Sequence, residues 1–109
     1  MRKTLVVMVL LICTAAYTRS ANVRNYPKLI IGKWTNDMFV RRYTKNGTFS
    51  HSAYDELVTK GKYKIKNNVL IEQHNNGMDE KYTTEKLDNN SLILFHISSK
   101  TRLKYKRVR

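Results

Sequence analysis

Lys28–Asn36 reads KLIIGKWTN, and this stretch decides the fold. Leu29 and Ile31 point one way on an extended chain, and Ile30, Gly32 and Trp34 the other. Gly32 has no side chain, so a neighbour can approach its backbone closely. Trp34, the only tryptophan, offers a large apolar ring with one N–H that needs a partner. These features predict a first strand at Lys28–Thr35, with the tryptophan in the core at the mouth of a small β domain.

A relay of short alternating stretches follows. Met38–Thr44 places Met38, Val40 and Arg42 on one face and Phe39, Arg41 and Tyr43 on the other. Asn46-Gly47 is the strongest hairpin signal. Thr48–Val58 alternates less cleanly, and Tyr54–Thr59 reads as a loop, a bulge or one helical turn. Lys62–Lys66 sets Tyr63 and Ile65 against three lysines. Val69–His74, Glu80–Leu87, Ser91–Ser98 and Thr101–Val108 complete the series, joined by turns rich in Asn, Asp, Gly and Ser. Ser91–Ser98 is apolar on both faces over its middle. Eight strands with short links predict an all-β, antiparallel up-and-down barrel. An open bent sheet or β-sandwich is the runner-up. Bulky Trp34, Phe39, Tyr63, Ile71, Phe95 and Tyr105 predict a mostly filled interior.

The first residues are not domain material. Arg2 and Lys3, then the apolar run Thr4–Cys13, then Thr14-Ala15-Ala16, form the pattern of a secretory signal peptide over residues 1–16. A flexible arm at 17–27 and a barrel domain at 28–109 are expected after it. The apolar run is too short for an ordinary membrane span, so the mature chain is expected to have no transmembrane segment. Cys13 is read as an ordinary signal cysteine. Its other reading is a lipoprotein anchor, for which Leu10 fits but Ile12 does not. The expected location is outside the cytoplasm, periplasmic or secreted. A mature chain without cysteine must rely on its core and hydrogen bonds.

The 109-residue chain carries a formal charge of +13, of which Arg2 and Lys3 account for two, leaving +11 on the rest. Such a surface favours anionic partners. Lysines that coat solvent-facing strand positions also keep sheet edges from sticking. Nucleic acid is not expected as a partner, because alternation separates Tyr63 and Tyr105 from the neighbouring lysines. No catalytic constellation emerges. Ser50 and Ser52 flank His51 but point to the opposite face. His51, His74 and His96 lie on alternate strands with faces the sequence leaves open, and no metal or cofactor is expected. The carboxylates Asp55, Glu56, Asp79 and Glu80 sit near turns. Asn46-Gly47-Thr48 and Asn89-Asn90-Ser91 fit the glycosylation pattern.

The order of motifs adds a resemblance. IGKW at Ile31–Trp34, NGTFS at Asn46–Ser50, GKYKI at Gly61–Ile65 and Tyr105-Lys106-Arg107 resemble small bacterial lipocalin-like (calycin-type) domains of exported proteins. The resemblance implies that Arg107 packs across Trp34 at the barrel end, a cation–π contact, with Gly32 making room in the same structural motif. Arg109 would take that place after a register slip. It also favours a function in small-molecule binding. The expected function is therefore non-catalytic binding by a monomer. The ligand would be small and apolar or anionic, held in a cavity lined by Trp34, Tyr63, Phe95 and Tyr105. The alternative is a filled barrel that uses its basic outer face to meet an anionic protein or envelope component, with an inhibitory role among its uses.

Overall fold

The computed structural model describes residues 22–109; the signal-peptide and Cys13 expectations, and residues 17–21 of the arm, lie outside them. Eight strands, β1 (Gly32–Asn36), β2 (Phe39–Tyr43), β3 (Thr48–Ala53), β4 (Glu56–Lys66), β5 (Val69–His74), β6 (Asp79–Leu87), β7 (Ser91–His96) and β8 (Thr101–Arg107), run in sequence order around a closed antiparallel barrel. β1 closes on β8 through Trp34↔Arg107 and Thr35↔Lys106. Closure leaves no free sheet edge, which replaces the disulfides such a short chain lacks.

The first strand starts later than the sequence suggests. Tyr26–Leu29 forms one helical turn, α1, with Pro27 in its first turn, where the missing N–H costs nothing. A 3₁₀ turn, Val23–Asn25, precedes it, and the Asn22 side chain accepts from the Arg24 N–H. Residues 22–27 are thus not a loose arm: Tyr26 is 7% exposed and joins the core. Ile30 is fully buried, and its carbonyl accepts from Trp34 Nε1 at 2.9 Å. A strand through Leu29–Ile31 would turn that carbonyl into the sheet ladder and leave the indole N–H unpaired in the core.

The stretch after β3 is a tight hairpin, not a loop or helical turn. Tyr54 and Asp55 both take positive φ, 52° and 65°, as a two-residue type I′ turn demands. The register then passes from His51↔Thr59 to Ser52↔Leu57, so Val58 is an extra bulged residue. A second bulge at Glu85 moves the pairing from Thr84↔Leu94 to Lys86↔Ile93 and returns Leu87 to the interior.

The end of the barrel holding α1 is packed shut. Trp34 is fully buried, and the Arg107 guanidinium carbon sits 4.2 Å from its ring centre. Arg107 also donates to three backbone carbonyls: Ile31 O at 2.9 Å, Asn89 O at 2.7 Å and Leu29 O. Gly32, at φ 137°, makes this geometry feasible, since a Cβ there would lie 2.5 Å from Arg107 Nη1. Arg109 instead donates to the exposed Asn90 side chain.

Trp34→Ala is expected to lower the unfolding free energy by about 3–5 kcal/mol, and Arg107→Lys by about 1–3 kcal/mol, because an ammonium cannot reach three carbonyls and lie flat on the indole. Urea titration followed by circular dichroism measures both, and a neutral Arg107→Lys would show that the stacked fork is dispensable.

Candidate functional site

Alternation along β2 sends Phe39, Arg41 and Tyr43 inward, so Arg41 enters the barrel while its neighbour Arg42 stays in water. Alternation along β5 does the same for Leu70, Glu72 and His74. The two strands stand three steps apart, and their charged side chains meet across the interior. Arg41 Nη1 lies 2.9 Å from Glu72 Oε2, with side-chain exposures of 8% and 0%.

Five further side chains surround the pair. The Tyr43 hydroxyl donates to Glu72 Oε2 at 2.5 Å. Arg41 Nε donates to the Tyr105 hydroxyl at 2.8 Å, and Nη2 to the Tyr82 hydroxyl at 3.3 Å. The guanidinium also lies over the Tyr82 and Tyr105 rings, 4.9 and 5.2 Å from their centres. His51 Nε2 is 2.8 Å from Arg41 Nη1 and 3.2 Å from Glu72 Oε1. Arginine only donates, so His51 Nε2 accepts from Arg41 when its proton sits on Nδ1 and donates to Glu72 when Nε2 carries the proton. His74 takes the next place: Nδ1 is 2.9 Å from Thr59 Oγ1, and Nε2 faces Glu72 Oε1 at 3.6 Å. Glu72 Oε1, His74 Nε2 and Thr84 Oγ1 have no hydrogen-bond partner among the described residues.

Burial sets the electrostatics. It pushes the Glu72 carboxyl upward, but hydrogen bonding to His51 and the charge of Arg41 outweigh it, so the group titrates below the usual carboxylate range. Burial pushes His51 below its ordinary value near 6.5, Glu72 opposing and Arg41 reinforcing the shift. Burial and the Glu72 charge together push Tyr43 upward. At neutral pH the Arg41 cation and the Glu72 anion thus stand against a neutral His51 ring and a neutral Tyr43 hydroxyl.

Among the described residues no group of three or more His, Cys, Asp or Glu side chains is arranged to hold a metal ion. Arg41 sits against His51 Nε2, the nitrogen a metal would need. His96 is elsewhere, paired with Glu80 and Ser99.

The turns after β1, β3, β5 and β7 share the other end of the barrel, here called the mouth. Seven exposed large apolar side chains ring it: Met38, Phe39, Tyr54, Leu57, Val58, Met78 and Ile97. Tyr54 is 72% exposed and Val58 67%. At this rim a pocket of about 180 Å³ is lined by Phe39, Val40, Arg41, His51, Ser52, Val58 and Tyr105, reaching from the outer face of β2 and β3 to the buried cluster. A larger depression of about 430 Å³ between β3 and β4 touches Phe49 of the core but none of the buried polar cluster.

The four residues expected to line one cavity do not meet. Trp34 is sealed in the packed end. Tyr63 lies edge-on to Tyr43 and donates to the Thr44 carbonyl at 2.7 Å. Phe95 is on the outer face: the buried positions of β7 are Leu92 and Leu94, and its cross-strand neighbours are Thr83 and Arg102. Tyr105 alone lines the pocket. Arg41, Glu72 and Tyr82 were not singled out by their sequence context. The available signal was an inward-compatible face on β2 that carries an arginine and one on β5 that carries a glutamate.

Both shifted groups give the same pH dependence. His51 and Glu72 each bind protons more readily unfolded than folded, so stability is full above about pH 6.5. It falls first as pH drops below the ordinary His51 value, then further below the ordinary Glu72 value of 4.5. His51→Asn is expected to flatten the upper part of this decline, read by urea unfolding at pH 8, 6 and 4. Arg41→Met is expected to cost about 3–5 kcal/mol by stranding Glu72, and Arg41→Met/Glu72→Gln to recover much of it; additive costs would show that the pair does not couple.

No protein-family model, curated protein or solved structure matches this chain.

Proposed function

We propose that this protein is a non-catalytic, lipocalin-like binding barrel, exported from the cytoplasm, that takes a small apolar molecule bearing a hydrogen-bond acceptor at its mouth. The observation that carries this reading is the pairing of an apolar rim with a charge-balanced, donor-rich floor. Arg41 is already neutralised by Glu72, so the floor does not call for an anion. The Tyr105 hydroxyl, which lines the pocket, accepts from Arg41, which leaves its O–H hydrogen to donate. A neutral carbonyl or ether oxygen above it would complete the network, while the rest of the molecule met Phe39 and Val58. The carboxylates on the mouth turns, Asp37, Asp55, Glu56 and Asp79, disfavour an anionic ligand further. The pocket's 180 Å³ is below the roughly 300–1,000 Å³ of drug-sized sites, which limits the ligand to a small molecule.

A second reading has its own support. Much of the interior is filled, and the outer wall is rich in lysine, as expected of a module that meets an anionic partner.

Titration with 2-heptanone, heptane and heptanoate, followed by nuclear magnetic resonance, tests the first reading. The ketone is expected to bind best and to shift Arg41, Val58 and Tyr105 signals. Tyr105→Phe is expected to weaken it by about threefold to tenfold, the worth of one net hydrogen bond. Equal binding of all three, or shifts confined to the β3–β4 depression, would count against it.

A further inference from the structure

The outer wall of β4–β8 carries a pattern that neither the barrel core nor the mouth accounts for. Cross-strand pairing sets up two matching rows, Lys64–Ile71–Lys81 and Lys86–Ile93–Lys104. A third row runs Lys66–Val69–Thr83–Phe95–Arg102. Strands β5 and β7 of this wall thus present Val69, Ile71, Ile93 and Phe95 outward, each partly exposed, while β6 between them presents Lys81, Thr83 and Lys86. The flanking strands β4 and β8 present lysines at every second position, Lys62, Lys64 and Lys66 on one side and Lys104 and Lys106 on the other, all exposed.

The opposite wall differs. Its outward rows are Lys33–Arg42–Ser50–Lys60 and Thr35–Val40–Ser52–Leu57, with Val40 as the one apolar residue on β1–β3. Carboxylates are also segregated. Within the β4–β8 wall Glu85 is held by Arg102, while Asp37, Asp55, Glu56 and Asp79 lie at the mouth turns.

We propose that the β5–β7 wall docks on an anionic lipid surface, with the barrel lying on its side. β4 and β8 stand four strand steps apart, a half-turn of an eight-stranded barrel. A plane meeting β6 therefore touches Lys81 and Lys86 and the apolar residues of β5 and β7 on either side, with the long lysine side chains of β4 and β8 at its margins. Apolar residues on β5 and β7, interleaved with cations on β4, β6 and β8, match the mixed apolar and anionic chemistry of a bilayer interface. A linear polyanion would favour a continuous cationic track, whereas apolar strands interrupt the cations here. The acidic mouth is left at the side, away from the headgroups. The inference deepens the partner reading and is independent of the ligand reading.

The test uses the full chain with a reporter tryptophan, since Trp34 is sealed in the core and silent to lipid quenchers. Ile93→Trp places the reporter on the proposed wall and Val40→Trp on the opposite one. With vesicles of brominated phosphatidylcholine containing phosphatidylglycerol, quenching is expected for Ile93→Trp and not for Val40→Trp. It should vanish without the anionic lipid and weaken as salt is raised. Lys64→Gln and Lys104→Gln are each expected to lower partitioning by about fivefold. Circular dichroism verifies that every variant folds. Equal quenching of both reporters, or of neither, overturns the inference. Heparin or single-stranded DNA bound without any lipid quenching would overturn it in favour of a polyanion and leave the partner reading standing; binding to none of these would remove both.

Discussion

The ion pair between Arg41 and Glu72 is the constraint on which the rest of the interior depends. Neither charge tolerates a dry environment alone, and each is too deeply buried to reach water. The pair spans the interior between non-adjacent strands, so it exists only when β2, β3, β4 and β5 hold their registers together. A slip of β2 by one residue would bring Arg42 and Val40 inward and expose Arg41 and Tyr43. An apolar substitute of equal volume could hold the barrel as firmly, but it would penalise that slip less. Tyr82 and Tyr105, which accept from Arg41, extend the same control to β6 and β8.

The interior divides into unlike halves. Near α1 it is dry and filled by Trp34, Ile30, Leu70, Leu87 and Leu92. Towards the mouth it becomes a hydrogen-bonded network with Glu72 Oε1 and His74 Nε2 left over and apolar residues stranded on the rim. Stability concentrated at one end leaves the other free to retain groups that packing alone would eliminate. That division is common where a scaffold and a site share one small domain, because unsatisfied buried atoms persist only where something offsets their cost.

The barrel was legible because its hairpins are written in Asn, Gly and Asp, and because lysines mark the outward positions of β4 and β8. What escaped notice has local reasons. Pro27 fits a strand edge and a first helical turn equally well, and only the burial of Ile30 decides between them. Tyr54-Asp55 turns without glycine, since neighbouring strands impose positive φ on residues that resist it alone. The bulges at Val58 and Glu85 break the two-residue period that face assignment relies on. Phe95 sits in a run apolar on both faces, which left its direction open. Arg41 and Glu72 lie on faces that each mix polar and apolar residues, so their meeting required knowledge of both inward faces at once.

The clamp of Arg107 on Trp34, α1 and the β6–β7 turn joins the two ends of the folded domain. Its carbonyl partners at Leu29 and Ile31 lie nearly eighty positions earlier in the chain. A chain growing from a ribosome or threading through a pore therefore cannot complete this clamp until Arg107 has emerged. Until then β1 and β7 remain open edges, and the charged pair inside has no sealed interior to occupy. The final seven-residue strand thus acts as a timing element. It keeps the nascent barrel incomplete during synthesis and makes its appearance the event that commits the whole domain at once.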